Sequence, residues 1–221
     1  MLTNRQIDRV LGKLKRFETT LEPMLFEPIT SLDAQMYETE QNLDSAPVDA
    51  AYIPAKKGAV WGGEWKYCWF QTEYTVPEKY ANIPLFLKAD VGGQESMLFI
   101  DGVPSGIFTI PQNGAAHGYH YCDLITMGTA ANTHYHFDLE AYAWHYTPGS
   151  QPMVTNPMPD FLHHYNSIEV CVKNPVINQF YFDLKTFDQM TEVLDANSFV
   201  RAEIIKTLMR VHEIVYYSPD D

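Results

Sequence analysis

The sequence predicts a mainly β protein, an antiparallel β-sandwich with a helical arm at its N-terminus and helices at its C-terminus. Three observations carry this reading. From Trp61 onward the chain runs in short stretches of aromatic and β-branched residues, punctuated by Gly, Pro and Asn, with no helix between successive stretches. Aromatic residues make up 14% of the chain, including 14 Tyr and 12 Phe, and flat rings suit a pleated surface. Apolar residues at three-to-four spacing mark the two ends of the chain instead. Many short strands at such spacing point to a sandwich of the jelly-roll or galactose-binding-like kind.

The first element is a helix. Ile7, Val10, Leu11, Leu14 and Phe17 fall on one face, and Thr3 with Gln6 has the form of a capping box. Pro23 and Pro28 end it. From Glu27 the periodic signal weakens, and residues 1–50 are expected to be a helix followed by an extended arm. The sandwich is expected over 51–178. Its strands are Trp65 to Val76, Pro84 to Val91, Met97 to Ile100, Gly106 to Ile110, Tyr119 to Ile125, Thr133 to Trp144 and Asn166 to Lys173. Asp101-Gly102 is a hairpin signal, because both positions tolerate positive φ. Residues 179–221 are expected to form a helical linker toward a catalytic domain absent from this chain. Leu184, Phe187, Met190 and Leu194 share one face; Ser198 is a plausible N-cap, and Val200, Ile204, Leu208, Val211 and Val215 trace a second stripe.

Composition bounds the function. With 46% hydrophobic and 19% charged residues, the 221-residue chain is globular rather than disordered. A net charge of −13 argues against nucleic acid and anionic membrane surfaces as partners, since both select Lys and Arg. Cys68, Cys122 and Cys171 are odd in number and far apart, which fits neither a disulfide framework nor a zinc ribbon. The N-terminus lacks the apolar core of a signal peptide, and no run approaches a membrane span, so the expected location is the cytoplasm.

Two groups of residues could carry chemistry. His134, His136 and Asp138 alternate along one strand and share a face, an arrangement that could ligate zinc, with His117 and His120 on the preceding segment. The competing reading makes them the solvated face of a strand whose buried face is Tyr135, Phe137 and Leu139. Neighbouring ligands on one strand sit about 7 Å apart, stretched for tetrahedral zinc, which favours the second reading. Trp61, Trp65 and Trp144 could stack on sugar rings, whereas Trp69, inside a strand, is expected in the core; packing against protein is the competing role for all of them. No phosphate-binding loop, dinucleotide fingerprint or nucleophile elbow is present. The many acidic residues allow a glycosidase-type carboxylate pair in space, but spacing does not pick one out.

Several motifs, taken in order, resemble the pre-catalytic region of glycoside hydrolase family 38 alpha-mannosidases, the cytosolic and bacterial branch. Trp61-Gly62-Gly63-Glu64-Trp65 with Cys68-Trp69-Phe70 resembles the start of that family's N-terminal sandwich, and Tyr74-Thr75-Val76-Pro77 its strand ending in V-P. Leu85 to Asp90, Glu95 to Ile100 and Asp101-Gly102-Val103-Pro104 resemble its paired strands and D-G-x-P hairpin. His134 to Ala143 and Gln179 to Leu184 resemble a later strand and the opening of the helical linker. The resemblance implies a non-catalytic part of an enzyme, truncated before its catalytic domain or a stand-alone relative, that braces the catalytic domain and helps subunits assemble. It implies that retaining, zinc-dependent hydrolysis of alpha-mannosides belongs to the full-length protein, with zinc and nucleophile in the absent domain. His136-Phe137-Asp138 spells the family's H-x-D, but in mid-strand, so no catalytic residue is carried over. An independent carbohydrate-binding module and a small metal-dependent hydrolase using the histidines remain the alternatives.

Overall fold

The computed structural model describes residues 3–109, 120–146 and 160–217. The chain divides into two compact units, one formed by Pro28–Val172 and the other by the two chain ends. The strands are β1 (Phe26–Ser31), β2 (Ala34–Thr39), β3 (Ile53–Ala55), β4 (Val60–Gly62), β5 (Tyr67–Thr75), β6 (Leu85–Asp90), β7 (Glu95–Ile100), β8 (Val103–Thr109), β9 (Cys122–Thr126), β10 (His134–Tyr142), β11 (Leu162–His164) and β12 (Ser167–Lys173). Among the described residues they form a six-stranded sheet in the order β3-β2-β5-β10-β7-β8, a four-stranded sheet in the order β1-β12-β6-β9, and a small β11-β4 pair.

Strict alternation builds the core between the two sheets. Cys68, Phe70 and Tyr74 of β5 and Phe137, Leu139 and Ala141 of β10 meet Leu85, Leu87 and Ala89 of β6 and Ile168 and Val170 of β12. Aromatic, branched and long aliphatic side chains at every second position can be buried together only if the opposite parity faces away. The expected hairpin forms as read, with Asp101 at φ 51° and Gly102 at φ 77°. Cys68, Cys122 and Cys171 are buried and form no disulfide.

The segment expected to be an extended arm contributes β1 and β2. Ala34 and Met36 point into the core, and β2 pairs antiparallel with β5 from Gln35↔Gln71 to Thr39↔Tyr67. Its six-residue strands carry too few apolar side chains to stand out as a pattern. Residues 40–52 then pass over the outer face of the six-stranded sheet, where the Tyr52 ring lies 5.6 Å from that of Tyr37. Trp69 is fully buried as expected, but on this outer face, 5.6 Å from the Phe99 ring, and outside the inter-sheet core. Proline occupies three marginal strands: Pro28 in β1, Pro54 in β3 and Pro104 in β8. Ile110, His117 and Tyr119 lie outside the described residues.

The second unit holds α1 (Asn4–Leu21), α2 (Pro175–Val193) and α3 (Phe199–Tyr217). The Thr3–Gln6 capping box is formed in both directions. α2 starts earlier than residue 179: Asn174 caps it by accepting from Ile177 N–H (3.1 Å), and Pro175 sits where a missing N–H costs nothing. Arg201 N–H reaches Ser198 Oγ (3.5 Å) at the start of α3. Leu14, Leu21, Leu25, Tyr181, Leu184, Ile204 and Leu208 form the apolar centre. Glu18, Asp188, Thr191 and His212 are buried among them, whereas Phe187 and Val200 of the expected stripes are exposed.

Two predictions follow from this packing. Gly62 adopts φ +111°, and a Cβ there would stand 2.5 Å from the Phe161 carbonyl oxygen; Gly62→Ala should therefore destabilise the chain by roughly 2–4 kcal/mol in urea unfolding. Burial, followed by the nearby Asp188 carboxylate, raises the Glu18 pKa above its ordinary 4.5. Between the ordinary and the raised value the native state binds more protons than the unfolded one, so stability falls as pH rises through the folded pKa. Glu18→Gln should raise the Tm at pH 7 by roughly 2–4 °C, and calorimetry near about pH 4 should show the gain vanish.

Candidate functional site

The outer face of the six-stranded sheet concentrates polar and aromatic side chains in rungs set by strand register. Tyr67, Tyr142 and Glu95 stand opposite one another on β5, β10 and β7, and Trp69, Glu140 and Met97 form the next rung. Directly opposed residues bring their Cβ atoms to about 5 Å, so each rung is a contact group. Tyr67 and Tyr142 stack with centroids 4.8 Å apart. With Asn42, Trp65, Ser96, Ile107 and His145, the residues of these rungs other than Trp69 line a cavity of about 400 Å³.

Trp65 reaches the cavity through local backbone geometry. Lys66 N–H donates to the Gly63 carbonyl (3.2 Å), closing a turn that holds Trp65 at φ 65°. Trp144, across the sheet, adopts φ 91°, and its carbonyl accepts from Trp65 N–H at 3.0 Å. Two bulky aromatics in the left-handed region are outliers of the sort that cluster at functional positions. The Trp65 indole stacks on His145 with centroids 3.6 Å apart and planes 13° apart, yet Trp65 remains 54% exposed. His145 in turn hydrogen-bonds the Tyr142 hydroxyl through Nδ1.

Glu140 is the cavity's most unusual group. Its Oε1 is buried without a hydrogen-bond partner. Burial is the main cause of its raised pKa; the Leu43 backbone hydrogen bond opposes the rise, and Asp44 adds to it. An unmade hydrogen bond on a buried oxygen costs roughly 1–3 kcal/mol. Burial, then Glu140 and Glu95, also raise the Tyr67 pKa, and burial raises that of Tyr142, so both phenols remain hydroxyl donors well above neutral pH. The rim therefore offers an aromatic plane, two phenols and two carboxyl groups.

The residues singled out from sequence divide between this site and others. Trp65 lines the cavity, and Trp144 lies beside it, 5.5 Å from the His145 ring. Trp61 does not present a face to a ligand: it is 1% exposed, and its indole N–H donates to the Val91 carbonyl at 2.7 Å. His134, His136 and Asp138 share the outer face as expected, but they form a chain of pairs rather than converging on one point. Glu73 lies 3.7 Å from His134 and 3.5 Å from His136, while Asp138, 7% exposed, accepts from Gln71 (2.8 Å) and pairs with His136 (3.1 Å). His120 pairs with Asp123 at 3.3 Å. Among the described residues no group of three or more His, Cys, Asp or Glu is placed to hold a metal ion. Sequence reasoning missed Tyr67, Glu95, Glu140 and Tyr142, although the parity that groups His134 with Asp138 extends to Glu140 and Tyr142.

Comparison with known proteins adds a family. A profile described as "Alpha-mannosidase, jelly roll domain" matches residues 27–156, more than half of the chain. No curated protein matches. Among solved structures, the chain is similar to a beta-glucuronidase from Faecalibacterium prausnitzii, with 12% identity and a TM-score of 0.43 over 66% of this chain and 31% of that one. It is also similar to a beta-glucuronidase from Ruminococcus gnavus, with 9% identity and a TM-score of 0.46 over 68% and 29%. The chain spans less than a third of either enzyme's length. Among the described residues no helix is long and apolar enough to cross a membrane.

The contrast between two buried indoles gives a test of which one is structural. Trp61→Phe orphans the Val91 carbonyl, whereas Trp69→Phe removes an N–H that has no partner. Urea unfolding should show Trp61→Phe to be the more destabilising by roughly 1–3 kcal/mol.

Proposed function

The chain belongs to the family of alpha-mannosidase jelly-roll domains, and from that premise we propose that it is the non-catalytic N-terminal part of a family 38 alpha-mannosidase-like glycoside hydrolase. The observation that carries this reading is the family match across 27–156, which falls on the strands of the sandwich. Its role in the proposal is to brace the catalytic domain and support assembly, including assembly of identical subunits. Exposed apolar side chains on the helical unit support that role: Val176, Phe182 and Val193 of α2 and Phe199 and Ile214 of α3 stand out toward solvent. Each would gain from being covered by other protein, since burial removes apolar surface from water.

Retaining hydrolysis of alpha-mannosides belongs, in this reading, to the full-length protein, whose catalytic domain would supply the nucleophile and hold zinc. No residue of this chain is assigned to that chemistry. The proposed setting is the cytoplasm, and the acidic balance supports a role without nucleic acid or anionic membrane as partner.

The full-length gene product should hydrolyse p-nitrophenyl alpha-mannoside with retention of anomeric configuration, and this 221-residue chain alone should not. Phe182→Asp should lower the thermal stability of the full-length enzyme by several degrees while shifting the Tm of this chain by less than about 2 °C. A gene product inert toward alpha-mannosides overturns the enzyme assignment. Equal Tm values for the Phe182→Asp and unaltered full-length proteins overturn the bracing role.

A further inference from the structure

We propose that the cavity on the outer face of the six-stranded sheet binds a neutral pyranose, with Trp65 at its rim and Tyr67, Tyr142, Glu95 and Glu140 as partners for its hydroxyls. The inference goes beyond the mannosidase reading and does not rest on it, because the site would bind sugar without cleaving it.

Three observations converge. The Trp65 ring stacks on His145 at 3.6 Å, on the side where His145 bonds the Tyr142 hydroxyl, and half of the residue stays exposed at the cavity's rim. A sugar's axial C–H groups form an apolar patch that an indole plane can cover, while its rim of hydroxyls needs both donors and acceptors. The rungs supply these: two phenols and two carboxyl groups set by the β5–β10–β7 register. The volume, about 400 Å³, lies within the range of small-molecule sites.

The same lining sets the ligand's charge. It contains two glutamates and no Lys or Arg. A uronic acid, which differs from its parent sugar by a carboxylate at C6, would bring like charge into the cavity without a counter-charge to receive it. Met97 and Ile107, opposed on β7 and β8, form an apolar wall suited to the ring's carbon face.

The test is a titration of this chain with methyl α-D-mannopyranoside, followed through the tryptophan indole N–H signals in heteronuclear NMR. A saturable shift of the Trp65 signal, with a dissociation constant on the order of millimolar, is expected. Trp65→Asn removes the ring while keeping a residue that tolerates positive φ, and should weaken binding by at least roughly tenfold. Mannuronic acid should bind at least roughly tenfold more weakly than the neutral sugar. Should Trp65→Asn fail to fold, Glu95→Gln on its exposed side chain decides the question, with a loss of roughly threefold or more expected. No saturable shift up to about 50 mM sugar, unchanged affinity in the variant that folds, or equal binding of mannuronic acid overturns the proposal. None of these results depends on whether the full-length protein hydrolyses mannosides.

Discussion

The antiparallel pairing of β5 with β10 holds along both strands, from Tyr67↔Tyr142 to Thr75↔His134. Side chains alternate with period two, so this one register assigns every residue of both strands to a face. Cys68, Phe70, Phe137, Leu139 and Ala141 go to the core, while Tyr67, Trp69, Glu140 and Tyr142 go to the opposite side. A slip by one residue would exchange the two sets, burying carboxylates between the sheets and exposing phenylalanines. The neighbouring strands inherit the assignment: β2 pairs with β5, and β7 pairs with β10. Core and cavity are thus two readings of a single alignment.

The outer face is itself covered at its centre. Residues 40–52 lie over it, and Trp69 and Asp138 are buried there. This second layer accommodates polar atoms that the inter-sheet core could not. Some are paired, as with Asp138 and Gln71; others, such as Trp69 Nε1 and Glu140 Oε1, are not. A layer with unmet hydrogen bonds is less stable than the core beneath it, and binding sites draw on regions of this kind. The helical unit shows a similar compromise, with Glu18 and Asp188 buried together and the carboxyl pKa of each raised by burial.

Much of the fold was legible in the sequence because local chemistry determined it. Asp101-Gly102 specified its turn, Thr3 and Gln6 their cap, and the aromatic and β-branched runs their strands. The strands of residues 26–39 were not legible, since their six-residue elements carry few apolar side chains and gain their order from pairing with distant strands. Trp61 illustrates the limit for single side chains. Followed by Gly62-Gly63, it read as a candidate for stacking on sugar or packing against protein, and its indole is fixed by the Val91 carbonyl, thirty positions along the chain. Parity placed His134, His136 and Asp138 on one face but could not show that Glu73 and Gln71 take up their hydrogen-bonding groups. The cavity was illegible for the same reason, because it joins residues from five separate segments.

The prolines at the sheet margins bear on how this domain meets other chains. A backbone nitrogen in a pyrrolidine ring donates nothing, so Pro28, Pro54 and Pro104 each interrupt the row of amides that an incoming extended segment would need. Recruitment by strand addition is discouraged along β1, β3 and β8. Association with any other chain is left to side chains on helix and sheet surfaces. The newly made chain thereby gains some protection against stacking into ordered aggregates before such contacts form.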